Sequence, residues 1–203
     1  MADRTVIPIY FDYASTLCYV AWRIVSQIEM ELPIEPLWKG VPIRLRDQRV
    51  KGGRALQPAQ REKVIMVAAE TGIPVVPPER WLNSDAALQG SELAREANVF
   101  RAYHELVFRR AFENRLDIGN LELLADIAEQ AGMNRGRFVE DLRNERTRAR
   151  IDAHKKEADD FAAVGYPTFM LGDFPLIGIQ PIDTMRMLIG RFIEKRAASR
   201  AVN

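Results

Sequence analysis

Apolar and polar positions first fall into short strand-like runs, then recur at helical spacing, then return to short runs at the end of the chain. Thr5 to Phe11, with Val6, Ile7, Ile9 and Tyr10, predicts a strand. Ser15 is a good N-cap, and the residues after it predict a helix to about Met30. Ile34 to Val41, bounded by Pro33 and Pro42, predicts a second strand. Strand, helix and strand in this order predict a parallel pair joined by a crossover helix.

The middle of the chain changes character. Pro58 to Thr71 predicts a helix, and "GIPVVPP" (72–78) a proline-rich loop. Asn83-Ser84 is placed to cap a helix running through Ala97. Phe100 to Glu113 carries Phe100, Tyr103, Val107 and Ala111 at helical spacing. Asn120 to Ala131 puts Leu121, Leu124, Ala125 and Ala128 on one face, and Gly132 ends it. Two further helices are predicted over Arg135–Asn144 and Arg146–Val164. The pattern then returns to strands at Thr168–Leu171 and Phe174–Ile177, split by the turn signal Gly172-Asp173. A last helix, about Ile182 to Arg196, buries Met185, Leu188, Ile189 and Phe192. The order β-α-β, helices, β-β-α defines an α/β fold: a small mixed sheet with a large all-helical insertion.

Composition narrows what such a fold can do. The 203 residues are 47% hydrophobic, enough to bury a real core. A net charge of +1 creates no overall field toward nucleic acid or a membrane surface. No long uncharged apolar run predicts a membrane span, and "MADRTVIPIYFDYAS" does not read as a signal peptide. A single cysteine excludes an internal disulfide and fits a reducing cytoplasm. One cysteine and two separated histidines, His104 and His154, make a structural zinc site an unfavourable reading. His104, on a mostly apolar helix, reads as a core or rim residue. The basic stretch 143–156 is broken by Glu145 and Asp152 and reads as a solvated helix face.

Two stretches carry candidate chemistry. In "FDYASTLCYVAW" (11–22), Ser15-Thr16-Leu17-Cys18 has C-x-x-C spacing with serine in place of the first cysteine. A strand there hands over to a helix, whose free N–H groups and dipole favour an anion. A thiolate held there gains a further hydrogen bond from the Ser15 hydroxyl; alternatively, Ser15 only caps the helix by accepting from the Cys18 N–H. Cys18 is either a small buried hydrophobe or, where partly exposed, a thiol of lowered pKa. In "VGYPTFML" (164–171), proline stands directly before a strand, a position for a strand start or edge.

"DYASTLCYVA", "AETGIPVVPP", "LNSDAAL", "VGYPTFML" and "IGIQPIDTM" span nearly the whole chain. Together they resemble the DsbA-like branch of the thioredoxin superfamily. That resemblance implies a thioredoxin-like domain formed by residues 1–54 and 146–203, with residues 55–145 as the inserted helical domain. It also implies a cis Tyr166–Pro167 bond close to Ser15. The serine at position 15 resembles the kappa-class glutathione transferases and the 2-hydroxychromene-2-carboxylate isomerases, where a serine hydrogen-bonds the sulfur of bound glutathione. By that resemblance Ser15 activates the thiolate and the Tyr166 backbone pairs with the tripeptide; Ser15 and Cys18 are the catalytic candidates. Tyr166, Pro167, Gln180 and Asn83 are the candidates for holding glutathione and a small aromatic or electrophilic substrate. A cytoplasmic homodimer is implied as well.

The chain also departs from those families. Thr16 and Leu17 replace a proline and an aromatic residue, and Ile179-Gln180 replaces a Ser-Asp pair. "GIQP" (178–181) is similar instead to the G-x-Q-P of cytoplasmic DsbA-like oxidoreductases. Two other readings therefore stand beside the glutathione-linked one. One is a thiol–disulfide oxidoreductase using Cys18 as a lone thiol. The other is a binding protein that kept the fold without catalysis.

Overall fold

The computed structural model describes residues 4–43, 55 and 57–201. Period-two alternation builds the central strand β1 (Thr5–Phe11). Ile7, Ile9 and Phe11 enter the main core on one face, while Tyr10 packs on the other with Val41, Ala158, Ala163 and Met170. β1 pairs in parallel with β2 (Ile34–Gly40), from Thr5 opposite Ile34 to Phe11 opposite Gly40. The crossover is α1 (Thr16–Glu31), whose Cys18, Trp22, Val25 and Ile28 are buried.

On its other side β1 pairs antiparallel with β3 (Thr168–Leu171), placing Ile9 opposite Phe169. β4 (Phe174–Ile177) completes the order β2-β1-β3-β4. Gly172, at φ 69°, supplies the left-handed residue of the β3–β4 turn. Pro175 lies on β4 at the edge, where its missing N–H interrupts no ladder on the open side.

Seven more helices are formed among the described residues: α2 (Pro58–Thr71), α3 (Asp85–Glu96), α4 (Phe100–Phe112), α5 (Leu121–Gln130), α6 (Arg135–Asp141), α7 (Glu145–Asp160) and α8 (Ile182–Ala201). α3 packs against α4, α5, α6 and α7, and α7 also packs on β2. Gly40 permits the close approach of this layer to the sheet. A Cβ there would lie 2.9 Å from Leu88 Cδ2 and 3.2 Å from Ile151 Cδ1. The sequence boundary placed between residues 54 and 55 falls against residues 44–54, outside the described residues.

Three helix ends differ from the sequence expectation. α6 stops at Asp141, and Asn144 then caps α7 by accepting from the Arg146 N–H at 3.0 Å. α7 stops at Asp160 rather than Val164, because Ala162 turns left-handed (φ 53°). The Ala163 N–H reaches back to the Ala158 carbonyl at 2.9 Å, a closure that terminates helices. α8 continues past Arg196 to Ala201, since no glycine or proline interrupts it there.

Candidate functional site

The turn from β1 into α1 is tied down residue by residue. Asp12 is buried, and its carboxylate accepts from the Ala14 N–H at 2.9 Å and the Ile43 N–H at 2.5 Å. Its carbonyl accepts from the Ser15 N–H at 3.0 Å. Ser15 is the N-cap in extended conformation (φ −95°, ψ 118°), and its hydroxyl accepts from the Cys18 N–H at 3.3 Å. The cap read from the sequence is therefore real. The same hydroxyl lies 3.4 Å from the Tyr166 carbonyl and donates to it across 151 positions of sequence.

Tyr166 and Pro167 are joined by a cis peptide bond. The Pro167 carbonyl accepts from the Gly178 N–H at 2.7 Å, and Thr168 Oγ1 donates to the Gly165 carbonyl at 2.5 Å. The bend is thus held from both sides. Ser15, Thr16, Leu17 and Tyr166 are half-buried, and Pro167 is buried. Ser15, Tyr166 and Pro167 therefore form one corner, with the first N–H groups of α1 beside it. Such amides and the helix dipole attract an anion.

Cys18 has a different environment. It is 0% exposed, and its Sγ accepts from the Asp12 N–H at 3.5 Å. Burial pushes its thiol up to about 12; hydrogen bonds from Ser15 and from the Asp12 backbone oppose this, and the Asp12 charge adds to it. Of the two sequence readings, the buried hydrophobe is the one formed. The Tyr166 phenol is likewise pushed up to about 12, by burial first and then by Asp159, Asp12 and Cys18.

Asn83 and Gln180 lie apart from this corner in bonding. Asn83 is exposed, and its Oδ1 accepts from the Asp85 N–H at 3.2 Å. Ser84 occupies the N-cap of α3 without a side-chain cap bond. Gln180 is exposed between β4 and α8. Among the described residues no hydrogen bond joins either to Ser15 or Tyr166.

Two contributors escaped the sequence reading. Asp12 carried a usable signal, since an Asp two residues before a turn amide often accepts from it. The other is a bond of 2.9 Å between the Tyr13 hydroxyl and His104 Nδ1, which links the site turn to α4. Both residues are fully buried. His104 stands among Phe11, Trp22, Trp38, Phe100 and Phe108, with ring centroids 4.6–5.0 Å away. Burial holds its pKa well below the usual imidazole value, and Arg95 and Arg101 add to the effect.

A four-stranded mixed sheet, a helical insertion and a cis-proline bend facing a helix N-terminus define a thioredoxin-like α/β protein. Residues 6–190 match the DSBA-like thioredoxin domain, and the chain belongs to that family. It is 25% identical over 202 residues to the uncharacterized protein YwbO of Bacillus subtilis (strain 168), covering 90% of this chain and 94% of that one. Among solved structures, it superimposes on a probable DsbA oxidoreductase from Streptomyces coelicolor with a TM-score of 0.78. That pair is 20% identical and covers 94% of this chain and 91% of that chain. A 2-hydroxychromene-2-carboxylate isomerase gives 0.75 at 22% identity, covering 96% and 98%. The cytosolic disulfide reductase DsbM from Pseudomonas aeruginosa, solved with GSH, gives 0.70 at 15% identity, covering 93% and 99%. These likenesses share the fold.

Proposed function

We propose that this protein is a glutathione-linked isomerase or transferase of the DsbA-like family, acting on a small aromatic or electrophilic substrate. The observation that carries the reading is the contrast between the two candidate side chains. Ser15 stands half-open at the Tyr166–Pro167 corner, whereas Cys18 is sealed below it with its thiol raised to about 12. A sulfur nucleophile at this corner then comes from a bound thiol rather than from the chain. The solved relatives, an isomerase and a reductase holding GSH, support that choice at the level of family chemistry.

In this mechanism the glutathione sulfur sits at the N-terminus of α1. The Ser15 hydroxyl turns from the Tyr166 carbonyl and donates to the sulfur, and the thiol proton leaves to solvent. The Tyr166 backbone pairs with the tripeptide. The thiolate then adds to an activated C=C bond of the substrate, whose π electrons take up a proton from solvent; in conjugation the thioether is the product, and in isomerisation loss of a proton and cleavage of the C–S bond re-form the double bond and release glutathione. A hydrogen bond to an ionised group contributes about 1.5–3 kcal/mol, or roughly ten- to over a hundredfold in rate when fully expressed in the transition state. The reading includes a homodimer working in the cytoplasm, where a lone cysteine needs no oxidising compartment.

Two single variants in two assays test it. Ser15→Ala is expected to lose turnover of glutathione with an electrophile, and Cys18→Ser to keep it. The lone-thiol oxidoreductase requires the reverse pattern with a glutathione mixed disulfide as substrate. A protein without catalysis turns over neither. Full activity of Ser15→Ala in the electrophile assay refutes the proposal.

A further inference from the structure

We propose that Asp12 is the positioning residue of this site: its buried carboxylate sets the Ser15 hydroxyl at the Tyr166 carbonyl, a role that rests on the glutathione-linked reading of that corner. Among the described residues, four bonds meet at Asp12. The carboxylate joins the turn, through the Ala14 N–H, to the segment leaving β2, through the Ile43 N–H. The Asp12 carbonyl holds the Ser15 N–H, and the Asp12 N–H points at Cys18 Sγ. Position 12 therefore fixes the residue before the cap, the cap itself and the first buried side chain of the helix. A carboxylate has the two acceptor oxygens this arrangement requires, whereas an amide brings one acceptor and one donor. Asparagine at position 12 keeps one of the two side-chain bonds and faces a backbone N–H with its own NH2.

Position and charge predict opposite consequences. As a nearby negative charge, Asp12 disfavours a thiolate, and its removal would lower the pKa of bound glutathione. As the brace of Ser15, its removal withdraws the hydroxyl from the sulfur and raises that pKa. We infer that positioning dominates, because Ser15 is the group that touches the sulfur directly.

The experiment compares the parent with Asp12→Asn and Asp12→Glu, the latter keeping the charge on a longer arm. Amide hydrogen exchange is read at Ala14, Ile43 and Cys18, the last because its N–H bonds the Ser15 hydroxyl. In parallel, kcat, KM and the pH profile are read with glutathione and an electrophile. Exchange at Cys18 is expected to quicken about tenfold or more in both variants, together with both Ala14 and Ile43 in Asp12→Glu and whichever of the two faces the NH2 group in Asp12→Asn, as loss of a buried hydrogen bond implies. The pH midpoint is expected to rise and kcat to fall in both, with KM for the electrophile held. Unchanged exchange at Cys18 in Asp12→Asn overturns the positioning role whether or not the parent uses glutathione. A midpoint that falls in Asp12→Asn and holds in Asp12→Glu overturns it in favour of a charge effect. A parent inactive with glutathione while exchange quickens as stated refutes the proposed function and leaves Asp12 as the brace of Ser15.

Discussion

Cys18 should be chemically silent in the folded protein, and the extent of that silence follows from its surroundings. Its side chain is 0% exposed, and its thiol is raised to about 12. At pH 8 such a thiol is ionised in about one molecule in ten thousand, against roughly a tenth for an ordinary thiol titrating at 9.0. Since the thiolate is the nucleophile, reaction with a disulfide reagent slows by about three orders of magnitude before the full burial of the side chain is counted. The chain has no other cysteine, so the assay reads this one group. Labelling by an aromatic disulfide reagent is followed in buffer and in denaturant at the same pH. A native rate within tenfold of the denatured rate, or a native labelling profile with a midpoint below pH 9, would refute the burial account. The same shift has a sign in stability. The folded state prefers the neutral thiol, so its contribution is complete below the ordinary value of 9.0 and is lost as pH climbs toward 12. The slope is about 1.4 kcal/mol per pH unit from this group, and it should vanish from the difference between the parent and Cys18→Ala.

Three further outcomes follow from the packing. Tyr13→Phe removes the hydroxyl that shares a 2.9 Å hydrogen bond with His104 Nδ1 and leaves a buried nitrogen unpaired. It should lower stability in urea by about 1–3 kcal/mol, and a change below 0.5 would contradict the bond. The His104 pKa is lowered by burial, so stability should fall with pH below about 6.5, where only the unfolded chain takes up the proton; His104→Phe should flatten that limb of the urea-midpoint profile. Gly90→Ala drives a Cβ into the Tyr103 hydroxyl and to 2.9 Å from Phe138 Cζ, both buried. It should destabilise by about 1–3 kcal/mol, read as several degrees in melting temperature.

Local chemistry was legible in the sequence wherever one residue type answers one local need. Ser15 read as a helix cap and accepts from Cys18. Gly172-Asp173 read as the turn between two strands and connects β3 to β4. The alternating apolar run of Thr5–Phe11 read as a strand and became the centre of the sheet. What escaped depends on residues distant in sequence or on conformations that side chains do not announce. The end of α7 is set by a left-handed alanine at 162, a residue type with no preference for that state. The Asp12 carboxylate finds Ile43, and Tyr13 finds His104, only after the sheet and α4 have been placed. The burial of Cys18 was open because a first-turn thiol can point outward or inward, and packing of α1 on the sheet and α4 decides it.

The central claim is that the Ser15 hydroxyl stabilises a bound thiolate. The most direct measurement is the pKa of the glutathione thiol bound to the parent and to Ser15→Ala, read from the ultraviolet absorbance of the thiolate across a pH titration. A hydrogen bond contributing about 1.5–3 kcal/mol to the ionised form corresponds to about one to two pH units. The bound thiol should therefore titrate at least one unit below free glutathione on the parent, and that difference should close in Ser15→Ala. A bound thiol that titrates as it does in water, or one whose lowered pKa survives the loss of the hydroxyl, would contradict the account.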